Sequence, residues 1–310
     1  MQTVLSILED IHLGKGQSYG NLTIYPLFKK TKSNLPDYLL LDEALNQDLV
    51  EIRDIGNVSE LLVKNNADID LLLINGEELL GGMQNRTVNV TVLIPAKTSL
   101  NIPVSCTERG RWEESKKKEK MRTEAPHYSS SQVRRVLLDS VTDSLKINST
   151  YESDQVSIWD TIECTINNFN IKSQTSAQSD IFKEKEEEIK NYLNQFFLEP
   201  EQTGMISMIN GKIKALEFFG KEETFKKVYK KLLRSYIIEA IKGKKIYLIK
   251  DNVDAFLQDL ERAKLNNYNH LGKGKHIVIE GNLQKGMALM LEDGLIHLCS
   301  FKINKDKTSI

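Results

Sequence analysis

Through the first third of the chain apolar residues recur at every second position, and from about residue 131 they recur at helical spacing. Leu22, Ile24 and Pro26 alternate with Thr23, Tyr25 and Leu27, which predicts a strand. Tyr38 to Leu41, Val50 to Ile55, Val58 to Val63 and Leu71 to Ile74 read as further short strands. Asn75-Gly76 tolerates positive φ and predicts a turn. Val88, Val90, Val92 and Ile94 then alternate with Thr87, Asn89, Thr91 and Leu93 as one strand. A turn at 95–99 leads into a return strand carried by Leu100, Ile102 and Val104. Before all of these, Val4, Leu5, Ile7, Leu8 and Ile11 predict a short helix over 3–12.

Val133, Val136, Leu137, Val141 and Leu145 form the stripe of a first long helix. Ser153 or Asp154 can cap a second, through Val156 to Ile166, and Asp180 opens a third, through Phe197. Met205 to Ile209, Asn210-Gly211 and Ile213 to Leu216 predict a hairpin. A helix over 222–241 ends at Gly243, and Asn252 or Asp251 caps another that runs through Leu265. The tail returns to strands at 276–280, 287–291 and 295–301. The class is α+β: a β-rich N-terminal third with a central antiparallel hairpin, a helical middle and C-terminal β-hairpins. We expect one α+β domain over 1–310. Residues 18–112 form its β-rich part and 131–310 its helical part with the last strands. Residues 113–130, charged and without apolar period, form an exposed loop between them.

Chemistry gathers at one end of the central hairpin. Gln84, Asn85 and Arg86 enter its first strand, while Cys106, Glu108, Arg109, Arg111 and Trp112 leave its second. Antiparallel pairing about the 95–99 turn sets Arg86 roughly opposite Glu108 and Asn85 opposite Arg109. Glu78, before the Gly81-Gly82 pair, can fold over the same end. The arginines offer planar forks for a pyrophosphate, Trp112 a stacking face, and the glycines a close backbone approach. Glu78 or Glu108 would be a general base, and Cys106, among guanidinium groups, a nucleophile. The plainer alternative is that strand-end polar residues are solvated, that Arg86 and Glu108 form a surface ion pair, and that Cys106 is a small core residue. His297 is either a packed strand histidine or, if the last strand lies beside 84–112, a member of the site.

The run Gly-Glu-Glu-Leu through Gly-Gly-x-Gln-Asn-Arg-Thr-Val-Asn, followed by Ile-Pro-Val-Ser-Cys-x-Glu-x-Gly-Arg-Trp over 76–112, resembles the ADP-ribosylglycohydrolase- and rhodanese-phosphatase-superfamily-associated protein family. Further similarity lies in Tyr25-Pro26-Leu27, Tyr38 to Ala44, Asp154-Gln155 with Trp159-Asp160, Ser173 to Ala177, and Leu295 to Leu298 with Phe301. The resemblance implies a bacterial or archaeal protein associated with NAD and ADP-ribose metabolism.

Composition narrows the alternatives. A formal net charge of −1 gives no electrostatic case for nucleic acid or an anionic membrane. No apolar run reaches the roughly 18 residues a membrane span needs. The acidic N-terminus is unlike a signal peptide, and three scattered cysteines fit a reducing cytoplasm. No ligand pattern requires a metal, and nothing specifies a cofactor or an oligomeric state. Two readings follow: an enzyme, as a hydrolase, acting on an ADP-ribose-like nucleotide derivative, or a non-catalytic module binding a ligand or protein through the same surface.

Overall fold

The computed structural model describes residues 9–31, 33–113, 121, 127–243, 250–268 and 271–303. The helix expected over 3–12 falls mostly outside these residues. Its last residues form β1 (Ile11–Leu13), which pairs with β3 (Leu22–Lys29), as does β2 (Gln17–Tyr19).

The largest sheet joins the two ends of the chain. Its order runs β1, β3, β12 (Gln202–Ile209), β13 (Lys212–Phe219), β17 (Gly294–Lys302), β16 (Gln284–Leu291), β15 (Lys275–Glu280) and β14 (Lys264–Tyr268), all antiparallel. Asn210 and Gly211 both take positive φ, 53° and 73°, and close the β12–β13 hairpin as their sequence demands. β14 replaces the end of the helix expected to run through Leu265. That helix, α7 (Val253–Glu261), is capped by Asn252 accepting from the Ala255 amide and stops before the Asn266-Asn267 pair.

Both faces of this sheet are covered. On one, Met205, Ile209, Phe219, Ile296 and Phe301 meet α6 (Glu222–Lys242) through Phe225, Leu232, Tyr236 and Ile237. On the other, Ile206, Phe218 and Leu298 meet Val253, Phe256 and Leu260 of α7. The segment expected as one helix over 180–197 is two, α4 (Gln178–Glu184) and α5 (Glu186–Leu193). They part at Lys185, beside the point where Arg234 of α6 grips both carboxylate oxygens of Glu186, at 2.6 and 3.0 Å.

Two smaller sheets carry the middle of the first third. One is β10 (Val92–Ile94), β7 (Asp70–Leu73) and β4 (Tyr38–Leu40), followed by the single-turn helix α1 (Leu41–Asn46). The other is β5 (Val50–Asp54), β6 (Glu60–Asn65), β11 (Ser99–Cys106), β9 (Arg86–Val88) and β8 (Glu78–Leu79). The strand expected over 88–94 is therefore broken, with β9 in one sheet and β10 in the other. Asn89 and Thr91 sit at the break: their side chains bind the Tyr151 carbonyl, Ser105 and His297, and the Thr91 carbonyl accepts from His276 Nε2. α2 (Ser131–Asn148) spans the two halves. Its Val133, Leu137 and Leu138 pack into the large sheet's core, and Val141 and Leu145 into that of the small sheets. α3 (Gln155–Phe169), capped by Asp154 on the Ser157 amide, lies against β11.

Candidate functional site

The register at the hairpin end corrects the expected pairing. Arg86 stands opposite Cys106, Ser105 opposite Thr87 and Val104 opposite Val88. These pairs centre on Ala96, one residue before the centre that the expected pairing needs, so Glu108 falls two residues beyond Arg86's partner. Glu108 is held instead by Arg111 at 2.7 Å, by Thr175 Oγ1 at 2.7 Å and by the Asn85 amide at 3.2 Å. Burial opposes its charge, but the Arg111 and Thr175 hydrogen bonds outweigh burial and keep its pKa below the usual value.

Most of the expected ligand-binding groups are committed to one another. Arg111 donates to the Gly82 carbonyl at 2.8 Å and to Asn85 Oδ1 at 3.1 Å, and Asn85 Oδ1 also accepts the Gly81 amide. Gln84 donates to the Glu108 carbonyl. Gly81 and Gly82, with φ of 101° and 56°, thus form a loop latched shut by Arg111. Arg109 lies apart, in an exposed pair with Glu163 and 5.5 Å from the Trp159 ring. Cys106 is buried, and burial pushes its thiol up to about 11, so it holds its proton.

Arg86 is wholly buried beneath half-exposed Trp112, 3.7 Å from the equally buried Asp54 carboxylate. Replacing Arg86 by alanine is expected to cost about 3–5 kcal/mol, because a buried carboxylate loses its counter-charge. Chemical denaturation checks this; a change under about 1 kcal/mol, the size of a surface pair, would refute it.

A second group at the same end has a different character. Glu78 on β8 is 1% exposed. It accepts Thr107 Oγ1 at 2.9 Å and Gln178 Nε2 at 3.3 Å, and its Oε2 lies 3.2 Å from His127 Nδ1. The positions of these partners are fixed by backbone pairing. Gln178 donates its amide to the Thr107 carbonyl, and Ser129 donates its amide to that of Gly76. Gln178 Nε2 also reaches Ser129 Oγ, which donates to Thr87. His127 stacks on Phe182 with centroids 3.6 Å apart and planes 6° from parallel. It lines a surface pocket of about 500 Å³ together with Leu80, Ser179, Asp180, Phe182, Lys183 and Glu186.

The tautomer of His127 follows from its partners. Nδ1 lies 3.2 Å from the Tyr128 carbonyl, which can only accept, so Nδ1 carries the proton and shares it with Glu78. Nε2 then presents a lone pair. Burial pushes Glu78 up to about 7 and adjacent Glu77 up to about 8, and it takes His127 down to about 3. Near neutral pH a titrating carboxyl therefore sits against a neutral imidazole.

These displacements set a pH dependence of stability. Glu77 and Glu78 have folded pKa values above their ordinary 4.5, so their contribution is full below that value and is lost as pH rises through 7 and 8. His127 lies below its ordinary 6.5, so its contribution is present above 6.5 and lost as pH falls toward 3. Melting temperature is expected to decline from about pH 5 to about pH 8 and to level off above, and Glu78→Gln to flatten the part of that decline below about 7. An unchanged slope in the variant would show that Glu78 is not the titrating group.

His297 belongs to a separate, fully buried network. Its Nε2 donates to Glu217 Oε2 at 3.1 Å, and its Nδ1 accepts from Thr91 Oγ1 at 2.8 Å. Glu217 also binds Arg134 at 2.5 Å and the Tyr236 hydroxyl at 2.6 Å. Burial opposes its charge, but Arg134 prevails and takes it down to about 2. The enclosed cavity beside it holds about 20 Å³, room for a single water at most, so this network is structural.

Of the loop expected to be exposed, 114–120 and 122–126 lie outside the described residues. Met121 and 127–130 are buried. His127 escaped sequence reasoning because it sits in that polar stretch, 49 positions from its partner. The only signal was the Tyr128-Ser129-Ser130 run that follows, where an apolar ring leads into a helix cap. Ser173 to Ala177, by contrast, is marked by its family resemblance and does reach the site, through Thr175, while Gln178, the residue after it, carries no such mark.

Among the described residues, no three His, Cys, Asp or Glu side chains gather as for a metal ion. No described helix is long and apolar enough to cross a membrane. Fold and site together define an α+β protein with an ionisable carboxyl–imidazole pair beneath a surface pocket. The chain belongs to the ARG and Rhodanese-Phosphatase-superfamily-associated Protein domain family, whose profile matches residues 10–301. No curated protein matches the chain, and no solved structure does.

Proposed function

We propose that the protein is a hydrolase acting on an ADP-ribose-like nucleotide derivative, with Glu78 and His127 as its acid–base pair. The observation that carries this reading is the Glu78–His127 contact at 3.2 Å, with His127 lining a pocket. A perturbed carboxyl with a specific partner at a cleft is the usual mark of acid–base chemistry. His127 Nε2 would take the proton of a water, and ionised Glu78 would stabilise the imidazolium that forms, which keeps the pair close to neutral in charge. The ADP-ribose association comes from the family description.

The expected ligand-binding arginines support the reading only indirectly. Arg111 and Arg86 act within the protein, as a loop latch and a buried counter-charge, and Glu108 is bound to the first of them. Glu108 and Cys106 are therefore not assigned catalytic roles.

A thermal-shift screen with NAD, ADP-ribose and related nucleotides, followed by chromatography of each stabilising ligand, tests the proposal. Hydrolytic products from a stabilising nucleotide are expected. Stabilisation with no product would replace the enzyme by a binding module. Products that persist in His127→Ala would move the chemistry elsewhere.

A further inference from the structure

The walls of the pocket over His127 carry groups that the acid–base pair does not use. We propose that this pocket holds a pentose bearing an anionic group, with its vicinal hydroxyls on Asp180 and its anion at Lys183. The proposal deepens the reading of Glu78 and His127 as the acting pair by assigning the part of the substrate that lies beside them.

The free charges of the pocket are few. Glu186 is neutralised by the two-point contact with Arg234. Asp180 accepts Ser173 Oγ on Oδ2 at 2.5 Å, and Oδ1 has no hydrogen-bond partner among the described residues. Lys183 makes no ion pair among them and is exposed. One carboxylate and one ammonium remain, three residues apart on α4, and so on neighbouring positions of one helix face about 5–6 Å apart. That separation suits a sugar whose diol and terminal anion lie on opposite ends of a five-membered ring.

The chemistry of each group fits the same ligand. A carboxylate only accepts, so it binds paired hydroxyls well, and the Ser179 hydroxyl beside it can donate or accept. An ammonium suits a phosphate as a point charge. The floor offers no aromatic face to a nucleobase: Phe182 is 2% exposed, and His127 covers its ring. Leu80 is left for the C–H face of a sugar. At about 500 Å³ the pocket exceeds a pentose phosphate, which leaves room for the rest of a larger nucleotide.

Titration calorimetry on the full chain with D-ribose 5-phosphate, 2-deoxy-D-ribose 5-phosphate and inorganic phosphate tests this. Ribose 5-phosphate is expected to bind about tenfold or more tighter than the deoxy sugar, the loss of one hydrogen bond to a charged group. Inorganic phosphate should bind weakest. Asp180→Asn keeps the side-chain shape and the Ser173 contact, and should bring the two sugars to nearly equal affinity. Lys183→Ala should weaken both sugars by the same factor and preserve their ratio. Equal binding of the two sugars to the unmodified chain overturns the proposal, as does a preference that survives Asp180→Asn or no binding of ribose 5-phosphate at millimolar concentration. The binding pattern without turnover of any ADP-ribose derivative would keep the pentose site and refute the hydrolase. Turnover without the pattern would do the reverse.

Discussion

Glu78→Gln is expected to lower turnover by about 10²–10⁴-fold, the range for a lost general acid or base, while ligand affinity stays nearly unchanged. Glutamine fits the same space. Its carbonyl can stay where Gln178 and His127 donate, and the Thr107 hydroxyl can turn to accept its amide. What it cannot do is ionise. In the unmodified protein kcat/KM should rise with pH through about 7, where Glu78 loses its proton, and this limb should vanish in the variant. His127→Ala should cause a similar loss, and the double variant little more, because two groups acting as a unit are not additive. Additive losses, or a limb near 7 that survives Glu78→Gln, would dissolve the pair.

The second large effect is on stability. Arg134→Met is expected to destabilise the fold by about 3–5 kcal/mol, because it strands the Glu217 carboxylate in a fully buried site. Adding Glu217→Gln should recover a good part of that loss, since the orphaned charge is then gone. Denaturant unfolding of the single and double variants reads both changes. A double variant as unstable as the single would mean that packing around Arg134, and not charge, dominates. Packing does matter here: Gly76 has φ of 86°, and a Cβ on it would lie 2.6 Å from the Arg134 side chain. The turn that delivers Glu77 and Glu78 therefore rests on Arg134.

Local features of the fold were readable wherever one short-range rule decides. Asp154 and Asn252 cap the helices as their side chains allow, Asn210-Gly211 makes its hairpin, and the alternation in β3, β5 and β11 marks real strands. The 88–94 segment misled because its apolar positions keep strict period two across a change of sheet. Only the distant partners of Asn89 and Thr91 reveal the break. At the site, sequence found Glu78 and the polar hairpin end but set Arg86 against Glu108. A one-residue error in the turn centre, which becomes two residues across the pair, was enough, and Asp54, from another strand, could not be foreseen. The Glu78–His127 contact joins β8 to a segment in a different part of the chain, which no local pattern encodes.

The large sheet also dictates an order of events as the chain emerges. β3 has only the short β1 and β2 for neighbours until β12 is made, with Leu22 and Ile209 in register across 187 positions. At ordinary synthesis rates that interval is about 10–40 s. During this time a strand rich in apolar residues has one edge open and half its ladder unmet. Closing so long a loop comes before any contact that rewards it, so refolding from denaturant should be slow for a chain with this much helix. Its N-terminal strands are the place where aggregation would begin if β12 were delayed or truncated.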